Sequence, residues 1–214
     1  MSVLLEAEHL TKIFLQKGKE PFQAVSDVSF TLASGETLGI VGESGSGKST
    51  LAKMLTRLTD INSGTLKFEG KNITKLKPKE LKPIYGKIQM VFQNPTGSFD
   101  PRKTLEDGIG ESLRNRGMKK AEIEKRVGEL LEQCGLDRAF AKRYPHEVSG
   151  GQCQRAAIAR ALAVQPQILI CDEATSALDV TIQKQIMELL GELKEKHGLS
   201  FIFICHNLAL VQMF

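Results

Sequence analysis

No apolar run in this 214-residue chain approaches the roughly 18 to 20 residues that a membrane-spanning helix needs. The start, Met1-Ser2-Val3-Leu4-Leu5-Glu6, also lacks the charged and long apolar regions of a signal peptide, so a cytosolic chain is expected. Cysteine is sparse. Cys134, Cys153, Cys171 and Cys205 stand far apart with no C-x-x-C pair, which argues against a disulfide framework or a zinc site and predicts buried, reduced thiols. Internal repeats, low-complexity tracts, long linkers and sustained heptads are missing. Charge of one sign is scarce too: 29 basic against 25 acidic residues leave a net +4, weak support for a nucleic acid or an anionic membrane surface, and no nucleic-acid partner is expected. What is present, 41% hydrophobic and 25% charged residues, suffices for one large α/β domain or a core plus a subdomain.

The chain is organised around Gly42-Glu43-Ser44-Gly45-Ser46-Gly47-Lys48-Ser49-Thr50, a match to G-x-x-x-x-G-K-[ST]. Thr37–Val41 before it reads as a short buried strand and Ser49–Leu58 after it as a helix, the context the motif requires. A phosphate chain has to be wrapped by backbone N–H groups, and glycine permits so tight a turn and so close an approach. The following helix points its N-terminus at the same anion. Lys48 adds a full charge for the β- and γ-phosphates, and Ser49 is placed to offer its hydroxyl to Mg²⁺.

Upstream and just downstream, strand-like runs at Val3–Leu10, Ala24–Phe30 and Thr65–Phe68 predict a β-rich subdomain flanking this loop. Phe14 sits in a polar stretch, where a ring is either a core plug or a stacking surface. Ile88–Phe92 is a second buried strand, ending at Gln93-Asn94-Pro95. From Lys103 to Gln133 the pattern turns helical, with Ile123, Val127, Leu130 and Leu131 on one face. Ser149-Gly150-Gly151-Gln152 heads an alanine-rich helix from Cys153 to Ala163; alone it reads as a cap and turn or as an anion site. Ile168–Cys171 is a fully buried strand, and Asp172-Glu173 stands at its C-terminal edge, where open parallel sheets place their ligands. Adjacent carboxylates there are costly unless a cation or water uses them. A helix from Thr181 to Lys196 shows Ile182, Ile186, Leu189, Leu190 and Leu193 on one face, and a strand from Ser200 to Cys205 ends at His206. The expected fold is α/β: a P-loop NTPase core with a flanking antiparallel β-subdomain and an inserted α-helical subdomain, the core over residues 1–94 and 166–214 and the insertion over 95–165.

With Gly42–Thr50, Ser149–Gln152 and Ile168–Glu173 in this order, the chain resembles the nucleotide-binding subunits of ABC transporters over essentially its whole length. Gln89–Pro95, Gly97–Thr104 and Ser176-Ala177-Leu178-Asp179-Val180 draw the resemblance towards importers of oligopeptides, dipeptides and nickel. The resemblance implies ATP and Mg²⁺ as ligands. It makes Gly42, Ser44, Gly45, Ser46, Gly47, Lys48, Ser49 and Thr50 the phosphate and magnesium cradle, Asp172 the carboxylate behind the magnesium shell, and Glu173 the general base. His206 resembles the histidine that contacts the γ-phosphate, Gln93 the glutamine linking magnesium and water to the helical subdomain, and Phe14 the aromatic that stacks on adenine. Ser149, Gly150, Gly151 and Gln152 are then expected to face the P-loop of a second ATPase subunit in a head-to-tail pair. Two membrane permeases and, indirectly, an extracytoplasmic binding protein complete the expected partners, at the cytoplasmic face of the membrane. Val148, Cys153, Ala174, Cys205 and Asn207 depart from the family pattern. The pattern also breaks off at Phe214, shortly after His206, as in a truncated form, and the cysteine cluster that binds iron and sulfur in some relatives is not expected. A soluble ABC ATPase clamping ribosomes or DNA, or a module that binds without hydrolysing, are the alternatives.

Overall fold

The computed structural model describes residues 2–15, 18, 20–175 and 178–206. Its strands, in chain order, are β1 (Val3–Phe14), β2 (Phe22–Ala33), β3 (Thr37–Val41), β4 (Ser63–Phe68), β5 (Lys71–Asn72), β6 (Ile88–Val91), β7 (Ile168–Asp172) and β8 (Ser200–Cys205). Among the described residues they form two four-stranded sheets, one ordered β2-β1-β4-β5 and the other β3-β8-β7-β6. The first is antiparallel; in the second, β8 pairs in parallel with both β3 and β7. Chain contacts divide the protein into two units: residues 1–90, 167–172 and 194–214, and residues 91–166 and 173–193.

The first unit carries the sheets and two short helices, α1 (Lys48–Leu55) and α2 (Pro78–Tyr85). Every residue of β7 and β8 is buried. Leu169, Ile170, Phe201 and Ile202 are wholly inside, as expected of parallel strands covered on both faces. Register does the rest: Val41 lies opposite Cys205, and Asp172 opposite Ile204. The carboxyl ends of β3, β8 and β7 are therefore level, and residues singled out from sequence stand there: Gly42 after β3, His206 after β8 and Asp172 at the end of β7. β2 is longer than the expected Ala24–Phe30. Its pairing with β1 shifts register at several points, so the apolar residues do not alternate cleanly. Phe14 lies opposite Phe22 at the far end of that pair and is 38% exposed, which overturns the core-plug reading.

The second unit is helical, with α3 (Leu105–Asn115), α4 (Lys120–Gln133), α5 (Gly150–Leu162) and most of α6 (Val180–His197). The stretch read as one helical region from Lys103 breaks into two helices. Thr104 caps α3 reciprocally with Asp107, and Gly117, at a φ of 80°, ends its turn. α4 buries Ile123, Val127, Leu130 and Leu131, the face read from periodicity. The four cysteines are all buried. Burial pushes the Cys134 thiol up to about 12, which keeps it protonated and inert. No helix among the described residues is long and apolar enough to cross a membrane.

Candidate active site

The glycine-rich loop leaves β3 at Val41 and enters α1 through Gly47. Gly47 takes a φ of 90°, and a Cβ there would lie 2.0 Å from the carbonyl oxygen of Ala24 on β2. Both the left-handed backbone and the close approach demand glycine. Gly47→Ala is expected to lower unfolding stability by more than about 1 kcal/mol, read as a lower urea midpoint at unchanged slope. An unmoved midpoint would show that the loop is not held against β2. Because Gly47 has no side chain, α1 has no side-chain cap, and no acidic residue stands in its first turn. Its leading N–H groups therefore face the loop as donors for an anion.

Lys48 is buried to 7% exposure, with Nζ donating to the carbonyl oxygens of Gly42 at 2.8 Å and Glu43 at 2.6 Å. The loop is curled round its own ammonium. Next to it, Ser49 Oγ donates to Asp172 Oδ1 at 2.9 Å, joining α1 to the end of β7. Asp172 is only 5% exposed, and buried carboxylates need such partners. A hydroxyl and a carboxylate in contact, beside a loop of N–H donors, are the donor set that Mg²⁺ uses when it binds through one or two protein groups and substrate phosphates. The residues present fit both a polyphosphate and its magnesium. Thr50 is half-buried on α1; Ser44, Gly45 and Ser46 are exposed at the loop. His206 is exposed immediately after β8. Phe14 has Lys12 Nζ 5.1 Å from its ring centroid.

In the second unit, Gln93 Nε2 donates to Glu173 Oε2 at 2.8 Å, across 80 positions of sequence. Glu173 adopts a φ of 47°, a left-handed conformation in a non-glycine residue. Such strain costs on the order of 1 to 3 kcal/mol and gathers at functional sites. Ser149 and Gln152 form a reciprocal cap on α5: Gln152 N donates to Ser149 Oγ at 3.3 Å and Ser149 N to Gln152 Oε1 at 2.9 Å. That cap starts α5 at Gly150, three residues before the expected Cys153. A Cβ on Gly151 would lie 2.8 Å from Ile182 Cγ2, so close packing of α5 on α6 accounts for this glycine. Ser149, Gly151 and Gln152 also line a cleft of about 420 Å³ with Asp137, Arg155 and Gln185.

Two roles escaped the sequence. Asp179 caps α6, its Oδ1 accepting from Ile182 N at 2.9 Å, while Arg160, inside an alanine-rich helix, holds the turn after Gln93. Asp before a helical pattern is a cap signal; a lone arginine among buried alanines is a weaker one. Ser176, Ala177 and Asn207 lie outside the described residues.

A family model described as ABC transporter matches residues 25–176. The oligopeptide transport ATP-binding protein OppF of Bacillus subtilis (strain 168) is 47% identical over 212 residues, which cover 98% of this chain and 69% of that protein. Its Escherichia coli (strain K12) namesake is 44% identical, over 98% of this chain and 66% of its own length. The chain thus spans about two thirds of these relatives. Among solved structures, a dimeric ATP-binding cassette in a post-hydrolysis state with ADP and Pi superposes with a TM-score of 0.89 at 32% identity, covering 98% of this chain and 91% of that one.

Proposed function

The chain belongs to the ABC transporter family as one of its ATPases, and from that premise we propose that it is the ATP-hydrolysing subunit of a peptide importer, acting at the cytoplasmic face of the membrane. The observation that carries the ATP site is the pairing of a loop-caged Lys48 with the Ser49–Asp172 contact at one sheet edge. The peptide cargo rests on the relatives, which are named for oligopeptide transport. Nickel and metal chelates, expected from sequence alongside peptides, have no such support in those names, and neither has a clamp on ribosomes or DNA.

In this reading Gly42 to Thr50 wrap the β- and γ-phosphates with backbone N–H groups, and Lys48 supplies their counter-charge. Ser49, with Asp172 and Gln93 behind it, would hold Mg²⁺, whose charge would further neutralise those phosphates. Glu173 is the general base that takes a proton from the attacking water, and Gln93 holds its carboxylate in place. His206 contacts the γ-phosphate. Ser149 to Gln152 serve the nucleotide of a second ATPase subunit, so that ATP bridges the pair and hydrolysis releases it. Two permeases feel that release, and an extracytoplasmic binding protein delivers the cargo to them.

Phe14 takes the adenine in the same reading. Phe14→Ala is expected to weaken ATP affinity by about 1 to 3 kcal/mol, by analogy with base–aromatic stacking, in a fluorescence titration with labelled ATP. Unaltered affinity would remove the ring from the site. The importer itself is tested by purifying the tagged chain from its own cells in mild detergent. Two multi-span permeases and a second ATPase are expected to come with it; ribosomal or DNA-bound proteins without any membrane protein would overturn the importer and leave the ATPase.

A further inference from the structure

Helix α5 grips the turn that follows Gln93 through one side chain. The Arg160 guanidinium donates to the carbonyl oxygen of Ser98 and, at 2.9 Å, to Ser98 Oγ. Its Cζ also lies 4.4 Å from the centroid of the Phe99 ring.

The gripped segment is itself closed. Ser98 Oγ donates to the Pro95 carbonyl oxygen at 2.6 Å, Gly97 N to Asn94 Oδ1 at 3.0 Å and Phe99 N to the Thr96 carbonyl oxygen at 3.3 Å. Behind the Phe99 ring stands Gly108 of α3, where a Cβ would lie 2.5 Å from ring Cδ1 and 2.8 Å from Cε1. The ring is therefore held between α3 and a guanidinium. Arg160 is half-buried, and burial lowers its pKa from the ordinary value. A charge removed from water is costly unless it is well bonded, yet this one is directed at neutral Ser98 oxygens and an aromatic face. Only the guanidinium's planar fork satisfies all three at once, and a lysine cannot reproduce it.

We propose that Arg160 is a positioning residue for ATP hydrolysis: by locking the 94–99 turn onto α5, it fixes where Gln93 Nε2 meets the Glu173 carboxylate and ties that pair to the helix headed by Ser149. The inference rests on the role given above to Glu173. A glutamine at the head of an unheld loop samples many rotamers and backbone positions, and displacement of a catalytic group by about 1 Å costs up to about 10²-fold in rate. Gln93 is spared that freedom by a residue 67 positions away.

The test compares Arg160→Lys, Gly108→Ala and Glu173→Gln in the full chain purified with whatever subunits accompany it. Arg160→Lys is expected to lower kcat between about tenfold and 10²-fold while KM for ATP stays within about twofold, and to speed amide hydrogen exchange at residues 97–99. Gly108→Ala displaces the ring without touching the guanidinium, so it should shift kcat in the same direction, and it carries the test alone should Arg160→Lys fail to fold. A lowered Tm with kcat of the folded protein unchanged in both variants would make Arg160 a purely structural residue and overturn the proposal. Normal turnover in Glu173→Gln would remove the catalytic reading and the positioning role with it. Slow turnover there, with undiminished kcat in the other two, would sink only the Arg160 clamp.

Discussion

Glu173→Gln is expected to bind ATP as tightly as the parent chain and to hydrolyse it about 10²- to 10⁴-fold more slowly, the range a positioned general base contributes. The substitution is chosen for what it keeps. Glutamine is nearly isosteric, and its carbonyl oxygen can still accept the bond that Gln93 Nε2 now donates to Glu173 Oε2 at 2.8 Å. It also meets the left-handed backbone at φ 47° with the same unbranched Cβ, so no new strain enters. What disappears is the basic oxygen. An ATP titration therefore reports an unchanged Kd while steady-state phosphate release falls. Because the bridging nucleotide is no longer consumed, ATP should also hold two subunits together, and sedimentation should show a dimer that the parent chain forms only transiently. Near-normal turnover would exclude Glu173 as the base, whatever the strain at its backbone signifies.

The contrast between Glu173 and its neighbour Asp172 shows what a sequence can and cannot disclose. Both carboxylates were legible as a pair at the end of a buried strand, because four apolar residues, Ile168 to Cys171, followed by two acids violate any structural economy unless something uses them. Their different surroundings were not legible. Asp172 bonds Ser49, whose position the motif itself specifies, whereas Glu173 bonds Gln93 from the bend after β6, 80 positions away, a contact no local pattern encodes. The same division runs through the fold. β8 came out with its exact bounds, since Ser200–Cys205 is a short apolar run between a glycine-bearing turn and a polar residue. α2 went unseen: only Leu81 and Ile84 face the core, and lysines with Pro78 and Pro83 make the segment read as loop. Phe14 stayed undecided because its exposure depends on how far β1 and β2 remain paired, and that pairing slips through several irregularities that period-two reasoning does not foresee. Arg160 was hidden for another reason. Charge on a helix is ordinarily a solvated face, and only the placement of Ser98 and Phe99 beneath it changes its meaning.

Lys48→Ala is expected to abolish measurable ATP binding, a loss beyond about 100-fold and so beyond about 2.8 kcal/mol. The magnitude follows from charge-assisted hydrogen bonds, each about 1.5 to 3 kcal/mol, made by a side chain that is 7% exposed and therefore poorly screened. A competing cost has to be separated from it. In the protein as it stands, Nζ bonds the Gly42 and Glu43 carbonyl oxygens, so truncation also releases the loop from its own internal anchor. A loosened loop would weaken nucleotide binding without any contact between lysine and phosphate. Salt and ligand charge distinguish the two causes. If Lys48 acts by charge, the parent chain prefers ATP to ADP to AMP in steps, and Lys48→Ala flattens that ladder; if it acts only by bracing the loop, the variant loses affinity for all three by a common factor. Unchanged affinity for ATP would remove the P-loop assignment altogether. Set beside Glu173→Gln, which is to lose turnover with binding intact, Lys48→Ala is to lose binding itself, so the two variants separate phosphate binding from proton transfer.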